Sequence, residues 1–169
     1  QTGAGRTGEW WNIDKHDVEP DIMTFAKGIA SGFPFGGVAA SNEIMNSVTP
    51  NLLGGTYGGN ALGSAVALET IKIIEDEDLL ENAKNMGSYM NTELINLKNV
   101  NKIRQFGLMI GIDLCNKTDS NIKIILNKLI DEGIIVLLAG DNTIRLMPPL
   151  NIRKSEVNYF LDKFDTCIN

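Results

Sequence analysis

The chain has 169 residues, a formal net charge of −6, and 43% hydrophobic side chains. This length can bury a core as one domain or as two small ones. A chain this acidic offers no basic surface to neutralise phosphates, which argues against a nucleic-acid partner. Two cysteines without CxxC spacing and a single histidine give no disulfide framework and no ligand set for a metal.

The sequence contains no signal peptide and no apolar run near the roughly 20 residues that span a bilayer. We therefore expect no membrane partner and a cytoplasmic location, with an organelle matrix as the alternative. The chain begins without methionine, in the glycine-punctuated loop Gln1–Gly8. That beginning indicates a fragment of a longer polypeptide.

Short strands and one long helix are predicted for the first half. Asn60 is a suitable N-cap, because its side chain can accept a hydrogen bond from a free backbone amide of the first helical turn. The helix that follows is apolar on nearly all sides at Leu62, Val66 and Leu68, so we expect it to be buried. The predicted elements are a loop at 9–20, strands at 22–26 and 37–40, a short helix at 42–46, a loop at 48–59, and the helix from 60 to about 75.

The composition of the chain changes at the acidic run Glu75–Asp78, which is predicted to form a solvated corner between two helices. Beyond it, apolar residues recur from Leu80 to Leu97 at three- and four-residue spacing, which predicts an amphipathic helix. Strands and helices then alternate, which favours a compact α+β unit with an antiparallel sheet. The chain thus divides into the parts 1–76 and 77–169. The later predicted elements are strands at 101–105, 107–115, 134–138 and 143–147, and helices at 122–133 and 157–164.

Lys27 is the only charged side chain between Asp21 and Glu43, where an apolar strand ends and a glycine-rich turn begins. Apolar surroundings favour the neutral amine, which is the form that reacts with a carbonyl group. Because the stretch 22–68 is almost free of charge, we expect a sheet covered on both faces and a polar, uncharged cradle suited to a cofactor. The alternative is a lysine that reaches water past a loop.

The segment Gly54–Asn60 (GGTYGGN) is a candidate phosphate cradle. Its glycines expose backbone amides, Thr56 supplies a hydroxyl, and the positive end of a helix dipole follows directly. It is not a P-loop, because the motif's lysine is missing. The alternative is a tight turn with a purely structural role.

Arg145 is the sole charge between Asp141 and Arg153, in an apolar strand stopped by two prolines. A guanidinium in this setting can bind a carboxylate through two parallel hydrogen bonds. The alternative is an internal salt bridge. Arg104 lies among polar neighbours and is predicted to be structural.

Six segments together resemble the C-terminal part of class III pyridoxal-phosphate aminotransferases, the group of the acetylornithine, ornithine and 4-aminobutyrate aminotransferases. They follow the family's order along nearly the whole chain. The segments are Gln1–Gly8, Val18–Thr24, Ala26–Gly28, Gly54–Asn60, Gly107–Ile112 and Ile144–Leu150. The resemblance implies an α/β fold of type I, with the end of the large cofactor-binding domain at 1–76 and the small C-terminal α+β domain at 77–169.

The resemblance also implies a role for each site residue. Lys27 would bind pyridoxal 5′-phosphate covalently and, once released, move a proton as a general acid and base. Gln1 would lie beside the pyridine ring. Thr56 would bind the cofactor phosphate of a second subunit, which makes a homodimer with shared active sites. Arg145 would hold the α-carboxylate of glutamate or 2-oxoglutarate.

The implied reaction moves an amino group from an ω-amino donor to 2-oxoglutarate. The family's aspartate for the pyridine nitrogen falls three residues before Gln1, outside this chain, so we expect the fragment alone to have little or no activity. Leu53–Tyr57 favours a 4-aminobutyrate donor, whereas Val136–Asn142, without an insertion before Arg145, favours acetylornithine, which we place first. The remaining alternatives are a non-catalytic remnant and an aminomutase or racemase on the same fold.

Overall fold

A computed structural model describes residues 1–50, 52, 54–115, 119–140 and 142–169. The described residues contain six strands and five α-helices. In chain order they are β1 (Ile22–Ala26), β2 (Gly36–Ala40), α1 (Asn42–Asn46), α2 (Ala61–Asp76), α3 (Leu79–Leu94), β3 (Val100–Phe106), β4 (Met109–Leu114), α4 (Asp119–Asp131), β5 (Leu137–Ala139), β6 (Thr143–Leu146) and α5 (Lys154–Ile168). No helix in these ranges is long and apolar enough to cross a membrane.

The first part of the chain is a two-stranded antiparallel sheet with α2 packed beside it. β1 and β2 pair from Ile22 opposite Ala40 to Ala26 opposite Gly36. A small apolar cluster joins the N-terminal loop, the turn after β1 and α2. Its buried members are Ala4, Ile29, Ala30 and Ala67.

The predicted helix after Asn60 is confirmed, including its N-cap, since the Asn60 side-chain oxygen accepts a hydrogen bond from the Gly63 amide at 2.7 Å. Its predicted burial is wrong. Leu62 and Leu68 are 61% and 69% exposed, because α2 packs through one stripe only and the described chain covers no other side. The predicted burial of β1 on both faces is also wrong, since its residues alternate between exposed and half-buried.

The acidic corner is confirmed. α2 ends at Asp76, α3 begins at Leu79, and the four acidic side chains from Glu75 to Asp78 are exposed to solvent. Asp78 has a φ of +49°, the left-handed conformation that reverses the chain within two residues. The corner therefore joins α2 to α3 without a longer loop.

A four-stranded antiparallel sheet in the order β3-β4-β6-β5 forms the second part, with one face covered by α3, α4 and α5. In β4, Ile110, Ile112 and Leu114 are buried, while the residues between them are half-buried on the opposite face. This alternation matches the period of two that a sheet with one covered face requires. The predicted α+β unit with an antiparallel sheet is confirmed.

One strand differs from its prediction. A strand was expected at 134–138, but β5 is limited to Leu137–Ala139, where it pairs with β6. Gly133 has a φ of +75° and turns the chain after α4. The apolar residues Ile134 to Val136 therefore lie before the paired segment, and their hydrophobicity alone suggested a longer strand.

Candidate active site

Lys27 lies immediately after β1, at the first position of a short 3-10 turn, with its side chain exposed. The expected apolar environment around Lys27 is wrong for this chain. Its φ of +58° is unusual for a residue with a side chain. Such a conformation costs about 1–2 kcal/mol and is concentrated at functional sites.

A cleft of about 630 Å³ opens beside Lys27. Its walls come from the N-terminal loop, the turn after β1, α2 and the segment that follows β6. Gln1 and Lys27 both line this cleft, so the structure brings these two predicted residues together. They also line a second depression of about 450 Å³, together with Trp11 and Met23.

The glycine turn before α2 has the openness that a phosphate cradle needs. The Gly58 amide donates to the Gly55 carbonyl at 2.9 Å and closes the turn. A side chain built on Gly54, Gly55 or Gly59 would meet nothing within 4 Å. Thr56 is exposed and does not line the cleft beside Lys27, so the structure does not bring Thr56 and Lys27 together within one chain.

Arg145 lies in β6, opposite Gly111 of β4 and Leu137 of β5. It forms no ion pair with any described residue, and its Nε is buried without a hydrogen-bond partner. An unpaired buried donor of this kind costs free energy unless an external acceptor meets it. Arg145 does not line the cleft, although Met147, two residues further on, does.

Arg104 faces Gly111 from the other side and is already paired. Its Nη1 and Nη2 donate to the two carboxylate oxygens of Asp113 at 2.6 Å each, and Thr143 donates to the same carboxylate at 2.5 Å. The hydrogen bond from Arg104 holds the pKa of Asp113 below its ordinary value. Arg104 is thus paired within the sheet, and Arg145 is the arginine on this face without an ion-pair partner among the described residues.

Sequence reasoning missed Arg6. Its half-buried guanidinium donates to the backbone carbonyls of Leu108 and Pro148, and burial lowers its pKa. The only signal in the sequence was an arginine enclosed by glycines, at Gly5 and Gly8.

Two segments that bear on the choice of amino donor, Leu53–Tyr57 and Val136–Asn142, contain Leu53 and Asp141, which lie outside the described residues.

Comparison with known proteins identifies the family. Residues 1–168 match the family model for class-III aminotransferases, so the chain belongs to this family. It is 36% identical over 181 positions to the 4-aminobutyrate aminotransferase GabT of Escherichia coli (strain K12), covering 100% of this chain and 42% of that protein. It is 37% identical over 171 positions to the acetylornithine aminotransferase of Bacillus subtilis (strain 168), covering 99% of this chain and 43% of that protein.

The fold comparison agrees. The crystal structure of acetylornithine aminotransferase from Elizabethkingia anophelis matches with a TM-score of 0.91 at 31% identity, over 99% of this chain and 43% of that one. The chain thus has the fold of the pyridoxal-phosphate-dependent transaminases and spans less than half the length of these relatives.

The residues of the cleft fit this family's cofactor. A volume of about 630 Å³ lies within the range of small-molecule sites, roughly 300–1,000 Å³. The exposed amine of Lys27 can react with an aldehyde, and the amide of Gln1 can hydrogen-bond a ring substituent. The glycine turn before α2, which lies outside this cleft, leaves space for a phosphate beside Gly54, Gly55 and Gly59.

Proposed function

We propose that the complete polypeptide is a pyridoxal-phosphate-dependent aminotransferase that moves an amino group from an ω-amino donor to 2-oxoglutarate. The observation that carries the proposal is the exposed amine of Lys27, held with Gln1 at one cleft, in a chain that matches the family throughout. When bound, the cofactor supplies an aldehyde and an electron sink for amino-group transfer.

Lys27 would hold the cofactor through its amine and, once displaced by the donor, carry a proton between the reacting carbons. Its backbone conformation supports this role, because a strained φ of +58° fixes the direction in which a side chain leaves the chain. Gln1 would orient the ring from its place in the lining of the same cleft. Neither residue needs to move far, since both already line the same space.

Arg145 would bind the α-carboxylate of glutamate or 2-oxoglutarate. Its buried, unpartnered Nε supports this role, because a carboxylate would supply the missing acceptor. Arg104 cannot compete for the substrate, since Asp113 already neutralises it. Of the two arginines on this face, Arg145 is therefore the one left to bind an anion.

Thr56 would serve the cofactor of a second copy in a homodimer. Its position outside the cleft of its own chain supports this arrangement. A mixing experiment tests it: Lys27→Ala and Thr56→Ala subunits are combined, and hybrid dimers are purified with two different tags. If the sites are shared, each hybrid contains one intact site and activity returns. A hybrid no more active than its parents would refute the shared site.

We further propose that residues 1–76 complete the large domain and that residues 77–169 form the small one. The two apolar clusters support this division, because the larger one draws its buried residues only from positions 83–168 and the smaller one from positions 4–67. With the boundary at the acidic corner, α3 is the first helix of the small domain.

Acetylornithine is the donor that we place first, with 4-aminobutyrate as the alternative. The alignment with the E. coli 4-aminobutyrate enzyme runs over 181 positions, so that enzyme carries insertions relative to this 169-residue chain. The alignment with the B. subtilis acetylornithine enzyme runs over 171 positions and needs almost none. Identities of 36% and 37% do not separate the two donors.

A half-reaction with the full-length gene product tests the function. The absorbance of the bound cofactor is followed while acetylornithine or 4-aminobutyrate is added, and then 2-oxoglutarate. Loss of the band with one donor and its return with 2-oxoglutarate would establish an aminotransferase and identify its donor. Lys27→Ala should abolish the response, whereas Lys98→Ala, on the exposed surface, should keep it.

Other outcomes distinguish the alternatives. A wild-type protein without the cofactor band would be a non-catalytic remnant. A band that responds to a substrate but not to 2-oxoglutarate would indicate an aminomutase or racemase. Either result would refute the proposed amino transfer.

A further inference from the structure

Arg6 is the only described arginine whose guanidinium is held by backbone carbonyls instead of a carboxylate or solvent. Its Nη1 donates to the carbonyl of Pro148 and, at 3.4 Å, to the carbonyl of Leu108. The backbone returns the contact, since the Leu108 amide donates to the Arg6 carbonyl at 3.0 Å. Three hydrogen bonds thus join Arg6 of the N-terminal loop to the second part of the chain.

One partner of Arg6 follows Arg145 in the chain, and the other precedes the strand that pairs with Arg145. Pro148 follows Arg145 by three residues. Leu108 is fully buried in the turn that leads into β4, and Gly111 of β4 pairs directly with Arg145. The Arg6 side chain therefore links the loop of Gln1 to both strands on which the position of Arg145 depends.

The surrounding packing leaves this junction little freedom. Gly107 has a φ of +53°, and a Cβ built on it would lie 2.5 Å from the carbonyl carbon of Thr7 and 2.8 Å from the Gly8 nitrogen. Asn82 of α3 holds the next turn of chain, donating to the carbonyls of Leu150 at 2.6 Å and Ile152 at 3.1 Å. Because these segments are closely packed, a shift of one of them moves its neighbours as well.

We propose, on the basis of the proposed function, that Arg6 is a positioning residue that sets the distance between the carboxylate-binding Arg145 and the reactive amine of Lys27. Arg6 lines the cleft with Lys27, and its Nη1 donates to the carbonyls of Pro148 and Leu108, through which it would act on Arg145. A lysine at position 6 would keep the charge and lose the planar guanidinium that reaches two carbonyls.

The test uses the full-length holoenzyme and the variants Arg6→Lys and Arg6→Gln, with the exposed Arg153→Lys as the matched control. Four quantities are measured: the Kd of glutarate, a dicarboxylate that cannot react; KM and kcat for 2-oxoglutarate; and the rate of hydrogen exchange at the Leu108 amide. The absorbance of the bound cofactor is recorded for each variant.

Both Arg6 variants should raise the glutarate Kd and the 2-oxoglutarate KM about tenfold or more, since a misplacement of about 1 Å can cost up to 100-fold. The Leu108 amide should exchange faster, the cofactor absorbance should stay unchanged, and Arg153→Lys should match the wild type. The conservative Arg6→Lys keeps the experiment decisive if Arg6→Gln fails to fold.

Glutarate binding within twofold of wild type in Arg6→Lys would overturn the inference and leave the proposed function standing. Loss of the cofactor band would also overturn it, because Arg6 would then contact the cofactor itself. A wild-type enzyme that holds the cofactor but binds neither glutarate nor 2-oxoglutarate would overturn both proposals.

Discussion

The contact between the β3–β4 turn and the N-terminal loop can be tested with two glycines that share a backbone conformation. Gly107 and Gly133 have φ values of +53° and +75°, so alanine is strained at both by about 1–2 kcal/mol. They differ in their surroundings. A methyl group at Gly107 would lie 2.5–2.8 Å from backbone atoms of Arg6, Thr7 and Gly8, whereas one at Gly133 would meet nothing within 4 Å.

Gly107→Ala should therefore destabilise the protein by about 1–3 kcal/mol more than Gly133→Ala, the usual cost of overpacking. Each kcal/mol lowers the melting temperature by about 2–4 °C in a domain of about 150–250 residues, and by less in the longer full-length protein. Thermal unfolding of the full-length protein at one fixed scan rate measures the difference. Equal losses for the two variants would show that the turn can move away from the loop, and would refute the tight junction.

Three further changes have expected outcomes. Asn60→Ala should lower stability by about 1 kcal/mol through loss of the α2 N-cap, and Asn60→Asp should restore most of it, both measured by urea unfolding. Phe164→Ala should cost about 3–5 kcal/mol because Phe164 is fully buried, while Ile135→Ala, at an 85% exposed site, should stay within about 0.5 kcal/mol. Because Arg104 lowers the pKa of Asp113, the ionised carboxylate stabilises the fold above the ordinary carboxyl pKa, and this stabilisation is lost as the pH falls through the lowered value. Asp113→Asn should thus reduce stability at neutral pH, and a difference from wild type that stays constant into the acidic range would contradict this.

Features with local causes could be predicted from the sequence. Asn60 lies directly before a helical pattern, and the acidic run lies between two apolar periodicities, so both were located correctly. The strand predicted at 107–115 also contains β4, Met109–Leu114. In each case the signal and the structure involve residues within a few positions of one another.

Burial could not be predicted for the first part, because exposure depends on what covers a surface and not only on its composition. The apolar side chains of α2 and the run before Lys27 suggested an interior, yet the described chain leaves both exposed. The role of Arg6 was also beyond sequence reasoning. Its partners lie 102 and 142 residues away and are backbone carbonyls, which any residue type would supply.

We propose Lys27 as the lysine that carries the cofactor, and chemical reduction of the bound cofactor tests this assignment. The full-length protein is loaded with pyridoxal 5′-phosphate and reduced with borohydride, and the modified peptide is located by mass spectrometry. We expect a single reduced adduct on Lys27, absent from Lys27→Arg and retained in Lys98→Arg. An adduct on a different lysine, or none in the wild type, would contradict it.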